Sequence, residues 1–259
     1  MDPVRPTSTP NAVAAPADSE AAMLNHQPRA NVSARAGYFR WVICALLLLG
    51  TTKNYMDRWV ISALKTTLQH DLGWNEIVAD GRGNAYVNTA GFDLMGGAKF
   101  APGTVALVTP DGFARQLAGG VAFPNGMAVT PDNSTLIVAE SYGQKLTAFQ
   151  IGANGSLSGP RVWADLGDGV PDGICLDAEG AIWYADVPNQ QCVRVREGGA
   201  VMRTIRLDRG CFSCALGGPD RTTLFMVATQ WRGTERMTDK SRTGQLLAVQ
   251  APAAGAGWP

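Results

Sequence analysis

One hairpin, written several times over, constrains this chain more than any other feature. Segments 75–87, 125–138 and 172–184 align without gaps, and 213–226 follows the same pattern more weakly. Each is a short apolar strand, a tight turn containing Asp, Asn or Gly, and a second apolar strand. The starts at 75, 125, 172 and 213 lie 50, 47 and 41 residues apart. Blades of four strands in a β-propeller recur at about 40–50 residues. Between the hairpins, 146–151 and 193–196 read as outer strands, with turns at Asn154-Gly155 and Glu197-Gly198-Gly199. A solenoid would repeat at shorter, more uniform intervals, and a sandwich has no reason to repeat. The expected fold of residues 75–259 is therefore all-β, with about four propeller blades.

The repeat has a chemical consequence. Asn75, Asn125 and Asp172 hold one register position, five residues before the turn. The innermost strand of each blade lines the axis of a propeller, so equivalent positions on neighbouring blades converge. Two amide oxygens and one carboxylate would meet there. Such a set suits one hard divalent cation, Ca²⁺, Mg²⁺ or Mn²⁺, with Zn²⁺ open if water completes the site. Asn and Asp also begin strands simply because they suit turns. In the fourth repeat the position is Ser213, a poor ligand.

Charge and cysteine content remove other functions. Basic and acidic residues number 22 each, and a net charge of zero argues against a nucleic-acid partner. Five cysteines at irregular spacing are no disulfide framework. Cys211-Phe-Ser-Cys214 has the spacing of a zinc half-site but lacks a second pair, and reads as small residues at a blade corner.

The first 74 residues differ from the rest. Residues 1–36, rich in Pro, Ala, Ser and Asn, are expected to form a disordered tail. Residues 37–74 are expected to form a hydrophobic helical segment. Its apolar run from Trp41 to Gly50 covers ten residues, against about 20 needed to span a bilayer. Extension to Leu64 takes in Lys53, Asp57 and Arg58, so membrane association through residues 38–64 is expected to be interfacial or weak.

Two resemblances follow. Arg40-Trp41-Val42-Ile43-Cys44, Gly50-Thr51-Thr52, Asn54-Tyr55-Met56-Asp57-Arg58 and Leu68-Gln69-His70-Asp71-Leu72-Gly73-Trp74 resemble the first helix of a major-facilitator hexuronate transporter. Lys53 departs from that pattern. Phe123-Pro124-Asn125-Gly126-Met127, Val170-Pro171-Asp172-Gly173, Ala181-Ile182-Trp183-Tyr184-Ala185-Asp186, Arg209-Gly210-Cys211-Phe212, Gly217-Gly218-Pro219-Asp220 and Trp231-Arg232-Gly233 resemble the SMP-30/gluconolactonase/LRE family. The second resemblance implies a six-bladed propeller that hydrolyses sugar lactones with one divalent metal ion. It implies Asn125 and Asp172 as metal ligands, Asp172 also as general base, and Asn75 as a contact to substrate or to metal-bound water.

The family's early Glu ligand has no counterpart before residue 75. The expectation is an incomplete six-bladed ring, joined at residues 73–76 to a transporter fragment by a fusion of neighbouring genes. Weak lactonase activity and self-association through open sheet edges are expected to follow. The alternatives are a membrane-targeted remnant of a transporter, or a non-catalytic propeller that serves as an interaction surface. The expected location is cytoplasmic or membrane-associated, in a bacterium.

Overall fold

A computed structural model describes residues 74–94, 96–233 and 242–257, with only the backbone described for Trp74 and Asn75. All of these lie in the unit Ile61–Pro259. The expected tail at 1–36, the hydrophobic segment at 37–74 (Trp74 aside) and its membrane association through 38–64 fall outside the described residues. Among the described residues no helix is long and apolar enough to cross a membrane.

Among the described residues fifteen strands form four antiparallel sheets in strict chain order. Blade one is β1 (Trp74–Ala79), β2 (Ala85–Thr89), β3 (Gly103–Val108) and β4 (Ala114–Val121). Blade two is β5 (Pro124–Val129), β6 (Thr135–Glu140), β7 (Lys145–Ile151) and β8 (Leu157–Asp165). Blade three is β9 (Pro171–Leu176), β10 (Ile182–Asp186), β11 (Gln191–Val195) and β12 (Val201–Arg206). Blade four has three strands among the described residues, β13 (Gly210–Gly217), β14 (Thr223–Thr229) and β15 (Gln245–Gln250). The architecture of the described residues is all-β, a β-propeller with four blades, as the repeat predicts. The strands expected at 146–151 and 193–196 are β7 and β11.

Sheet faces pack on sheet faces, and this explains the sequence pattern. Leu136 and Val138 of β6 pack on blade one with Val105 and Leu107. The alternate residues Ile137 and Ala139 pack on blade three with Ile174 and Leu176. Blade three repeats the arrangement: Ile182 and Tyr184 of β10 face blade two, while Trp183 and Ala185 face blade four with Cys214 and Leu224. A strand buried on both faces reads as an unbroken apolar run rather than an alternation. Leu136, Leu146, Ile182 and Leu224 are wholly buried, each contributing roughly 1.5–3 kcal/mol from removal of apolar surface from water. Outer strands lack this constraint, and Val201 and Met202 of β12 are exposed.

The hairpin turns at the far end of the inner strands are closed by side chains. Asp80 Oδ1 accepts N–H bonds from Arg82 and Asn84, each at 2.9 Å. Asp177 Oδ1 accepts from Glu179 and Ala181, each at 3.0 Å. Segment 251–257 then ties blade four to blade three at this end, through Ala178 N to Ala254 O (2.7 Å), Ala256 N to Leu176 O (3.0 Å) and Gly255 N to Arg221 O (2.9 Å).

Candidate active site

The other end of the inner strands is built differently. In β1, Trp74 pairs with Thr89 and Ile77 with Val87, so Asn75 and Glu76 together oppose Asn88. In β5, Asn125 and Gly126 oppose Ala139. In β9, Asp172 and Gly173 oppose Ala185. Each is a β-bulge, with two residues against one, and bulges re-aim side chains out of the pleat. Blade four carries its bulge at Phe212, which leaves Ser213 in the ladder opposite Val227. The three expected ligand positions thus share a backbone irregularity as well as a register.

The Asn-Gly and Asp-Gly pairs serve close approach rather than a turn. A Cβ on Gly126 would lie 2.5 Å from Ile174 N and 2.6 Å from Asp172 O. One on Gly173 would lie 2.8 Å from Ser213 Cα. Glycine here lets β5, β9 and β13 run side by side. In blade one the same position is Glu76.

A chain of hydrogen bonds links the three bulges. Glu76 N donates to Asn88 Oδ1 at 3.2 Å, and Asn88 Nδ2 donates to Asn125 O at 2.7 Å. Asn125 Nδ2 donates to Ser141 Oγ at 3.1 Å, and Ser141 Oγ donates to Pro171 O at 2.6 Å. Asn88 and Ser141 are buried. They hold blades one, two and three together at the level of the site. The Asn125 amide is thereby oriented, with its nitrogen committed to Ser141 and its oxygen turned to the opposite side.

Asp172 stands apart. It is half-buried, and no hydrogen bond or ion pair joins its carboxyl to another described residue. Burial, then the negative charge of Glu76, pushes its pKa up to about 7. A buried carboxyl with a second carboxylate nearby favours its neutral form unless a cation compensates. Among the described residues no group of three or more His, Cys, Asp and Glu is arranged to hold a metal. The oxygen donors on hand are instead the Asn125 amide and the Asp172 carboxylate, with the charge of Glu76 beside them. That set fits a hard divalent cation. The side chain of Asn75 lies outside the described residues.

The cysteines pack as a structural group. Cys192, Cys211 and Cys214 are buried between blades three and four. Cys175 Sγ lies 3.9 Å from Cys214 Sγ, and contact with Cys214, then burial, holds the Cys175 thiol well above its ordinary pKa. Such thiols are inert packing groups.

Reading the sequence missed Glu76, Asn88 and Ser141. The available signal was polarity out of place: Asn88 interrupts the apolar strand Ala-Tyr-Val-Asn-Thr.

Comparison with known proteins agrees with this fold. The chain matches the SMP-30/gluconolactonase/LRE-like region over residues 11–230, a match that begins well before residue 75. It is 30% identical to regucalcin of Xenopus laevis over 132 residues, 49% of this chain and 44% of that one. It is 27% identical to 6-deoxy-6-sulfogluconolactonase of Pseudomonas putida, over 56% of this chain and 52% of that one. The chain thus spans about half the length of the curated relatives it matches. Two solved propellers share its fold. One is a luciferin-regenerating enzyme (TM-score 0.59, 21% identity, 71% of this chain and 64% of that one). The other is regucalcin from Agrobacterium tumefaciens, described as a calcium-binding protein (TM-score 0.58, 22% identity, 71% and 62%). This chain belongs to the SMP-30/gluconolactonase/LRE family.

Proposed function

We propose that the protein hydrolyses lactones with the help of one divalent metal ion at Asn125 and Asp172. The observation that carries this reading is the Asp172 carboxyl, which has no hydrogen-bond or ion-pair partner among the described residues and whose pKa is pushed up to about 7, in the same bulge register as the Asn125 amide. Regucalcin and sugar lactonases among the relatives support it. A hard cation, when bound, supplies Lewis acidity toward the lactone carbonyl and toward water. Asp172 accepts a proton from the attacking water as its oxygen bonds to the carbonyl carbon. The ring C–O bond then breaks, the proton passes to the departing alkoxide, and a hydroxy acid results. Asn75 is assigned to substrate contact by its register.

Glu76 refines the expectation of weak activity, which rested on the missing early Glu ligand. Its charge reaches Asp172 and gives the site a second negative group. It sits one residue out of ligand register, so we infer activity below that of a site with two carboxylates directly on the ion. Self-association is a second reading, favoured by Val227 and Leu246. These cross-strand partners on β14 and β15 are both exposed, and sedimentation of the full chain tests it.

The test is hydrolysis of glucono-δ-lactone by the full chain, stripped with chelator and then given Ca²⁺, Mg²⁺, Mn²⁺ or Zn²⁺ singly. The rate is expected to depend on added metal and to fall about 100-fold or more in Asp172→Asn. A rate indifferent to both chelator and substitution would sink the proposal.

A further inference from the structure

Four aromatic rings from three separate loops meet beside the candidate site. Phe92 and Phe100 lie in the loop 90–102 between β2 and β3, Phe123 between β4 and β5, and Tyr142 just after β6. Phe123 and Tyr142 are stacked, with centroids 4.8 Å apart and planes 25° apart. Phe92 packs on Phe100 at 5.6 Å and on Phe123 at 5.5 Å, and Phe100 packs on Tyr142 at 5.5 Å. The cluster is not a core: Phe100 is 49% exposed and Tyr142 52%. A contiguous exposed apolar patch marks a binding surface more often than a single exposed ring does.

Its placement ties it to the site. Phe123 precedes Asn125 by two residues, and its carbonyl accepts from Ser141 N at 3.1 Å. Tyr142 N donates to Ala122 O at 3.2 Å, and Ser141 Oγ bridges Asn125 to Pro171. Phe123 itself has φ +58°, a conformation disfavoured for a bulky side chain and maintained only where surrounding bonds enforce it. The neck of loop 90–102 closes tightly, since a Cβ on Gly91 would lie 2.2 Å from Pro102 O. Two of the loop's apolar side chains are thereby brought onto blade two.

We propose that these rings form a stacking platform that selects lactones carrying a flat apolar substituent, aromatic above all, over polyhydroxylated ones. The inference rests on the lactonase reading for the bond broken, and it names the substrate class. A ring laid on Tyr142 and Phe100 covers exposed apolar surface next to Ser141, the residue that holds Asn125. A polyol would bury hydroxyls against rings that offer few hydrogen-bond partners.

The test compares dihydrocoumarin with glucono-δ-lactone, using the full chain with the activating metal. We expect kcat/KM to favour dihydrocoumarin. That preference should shrink about tenfold in Tyr142→Ala, the loss of one stacking contact, and survive in Tyr142→Phe. A preference for the sugar lactone, or an alanine variant that lowers both substrates equally, overturns the proposal. If neither lactone is turned over, the lactonase reading fails, and the platform is still tested by calorimetry with the lactam 3,4-dihydro-2-quinolinone. Binding weakened about tenfold by Tyr142→Ala supports it; no binding, or binding unchanged by the substitution, overturns it.

Discussion

Two carboxylates five residues apart on the same stretch of chain have opposite fates. Asp177, at the turn end of β9, is wholly buried and wholly satisfied. It accepts from Glu179 N and Ala181 N on one oxygen and from Arg194 at 2.7 Å on the other. Asp172, at the bulge end, has no such partners among the described residues, and its pKa is pushed up to about 7. Blade one closes its turn end in the same way, with Asp80 held by Arg82 N, Asn84 N and Asn84 Nδ2. The turn end of the blades spends its polar groups on closing the fold. At the bulge end the Asp172 carboxyl is left without such bonds among the described residues, and its partial burial raises its pKa instead.

The contrast is open to direct attack. Its largest expected effect is on stability, in Asp177→Ala. Arg194 would stay buried with only the exposed Glu179 as a partner, and two N–H groups in the turn would lose their acceptor. A loss of about 3 kcal/mol is expected in urea unfolding. A loss below about 1 kcal/mol would mean that the turn carboxylates are no more structural than the one at the site.

Asp172→Asn should act in the opposite sense on stability while removing activity. The folded protein holds the Asp172 proton more tightly than the unfolded chain does. The stability this group contributes is therefore complete below about pH 4 and is lost as pH rises through about 7. In chelator, the wild-type protein is expected to fall behind Asp172→Asn across that window, by about 2 kcal/mol at pH 8 after allowance for solvent screening. A divalent cation should close the gap by favouring the carboxylate. Parallel stability curves from pH 4 to 8 would remove the electrostatic basis of the site.

The same contrast marks what the sequence could reveal. Features that recur in each blade were legible, because a repeat amplifies a weak local signal. The hairpins, the Asn125 and Asp172 register and the turn-closing Asp80 and Asp177 all belong to that class. Features that occur once were not. Glu76 stands where blades two and three have Gly126 and Gly173, and Asn88 stands where they have Ala139 and Ala185. A repeat alignment treats such positions as noise. The outer strands β4 and β8 carry mostly part-exposed or exposed residues, so no apolar period announces them. The four-ring cluster joins Phe92 to Tyr142 across 50 residues, a contact fixed by how blades one and two pack and by nothing local.

Ser141 offers the finest cut between the two ends, because it is structural by its bonds and functional by its position. Its hydroxyl accepts from Asn125 and donates to the carbonyl that precedes Asp172. Ser141→Ala leaves Pro171 O and Asn125 Nδ2 without that partner, at an expected cost of about 1 kcal/mol in stability. Were Ser141 only an interblade tie, the variant would bind metal as the wild-type protein does. If it orients the Asn125 oxygen instead, metal affinity should fall about tenfold, measured by titration of the stripped protein. Ser141→Thr keeps the hydroxyl and should restore most of that affinity. An alanine variant that loses stability but keeps its affinity would assign Ser141 to the fold alone, and would leave Asn125 oriented by its bulge.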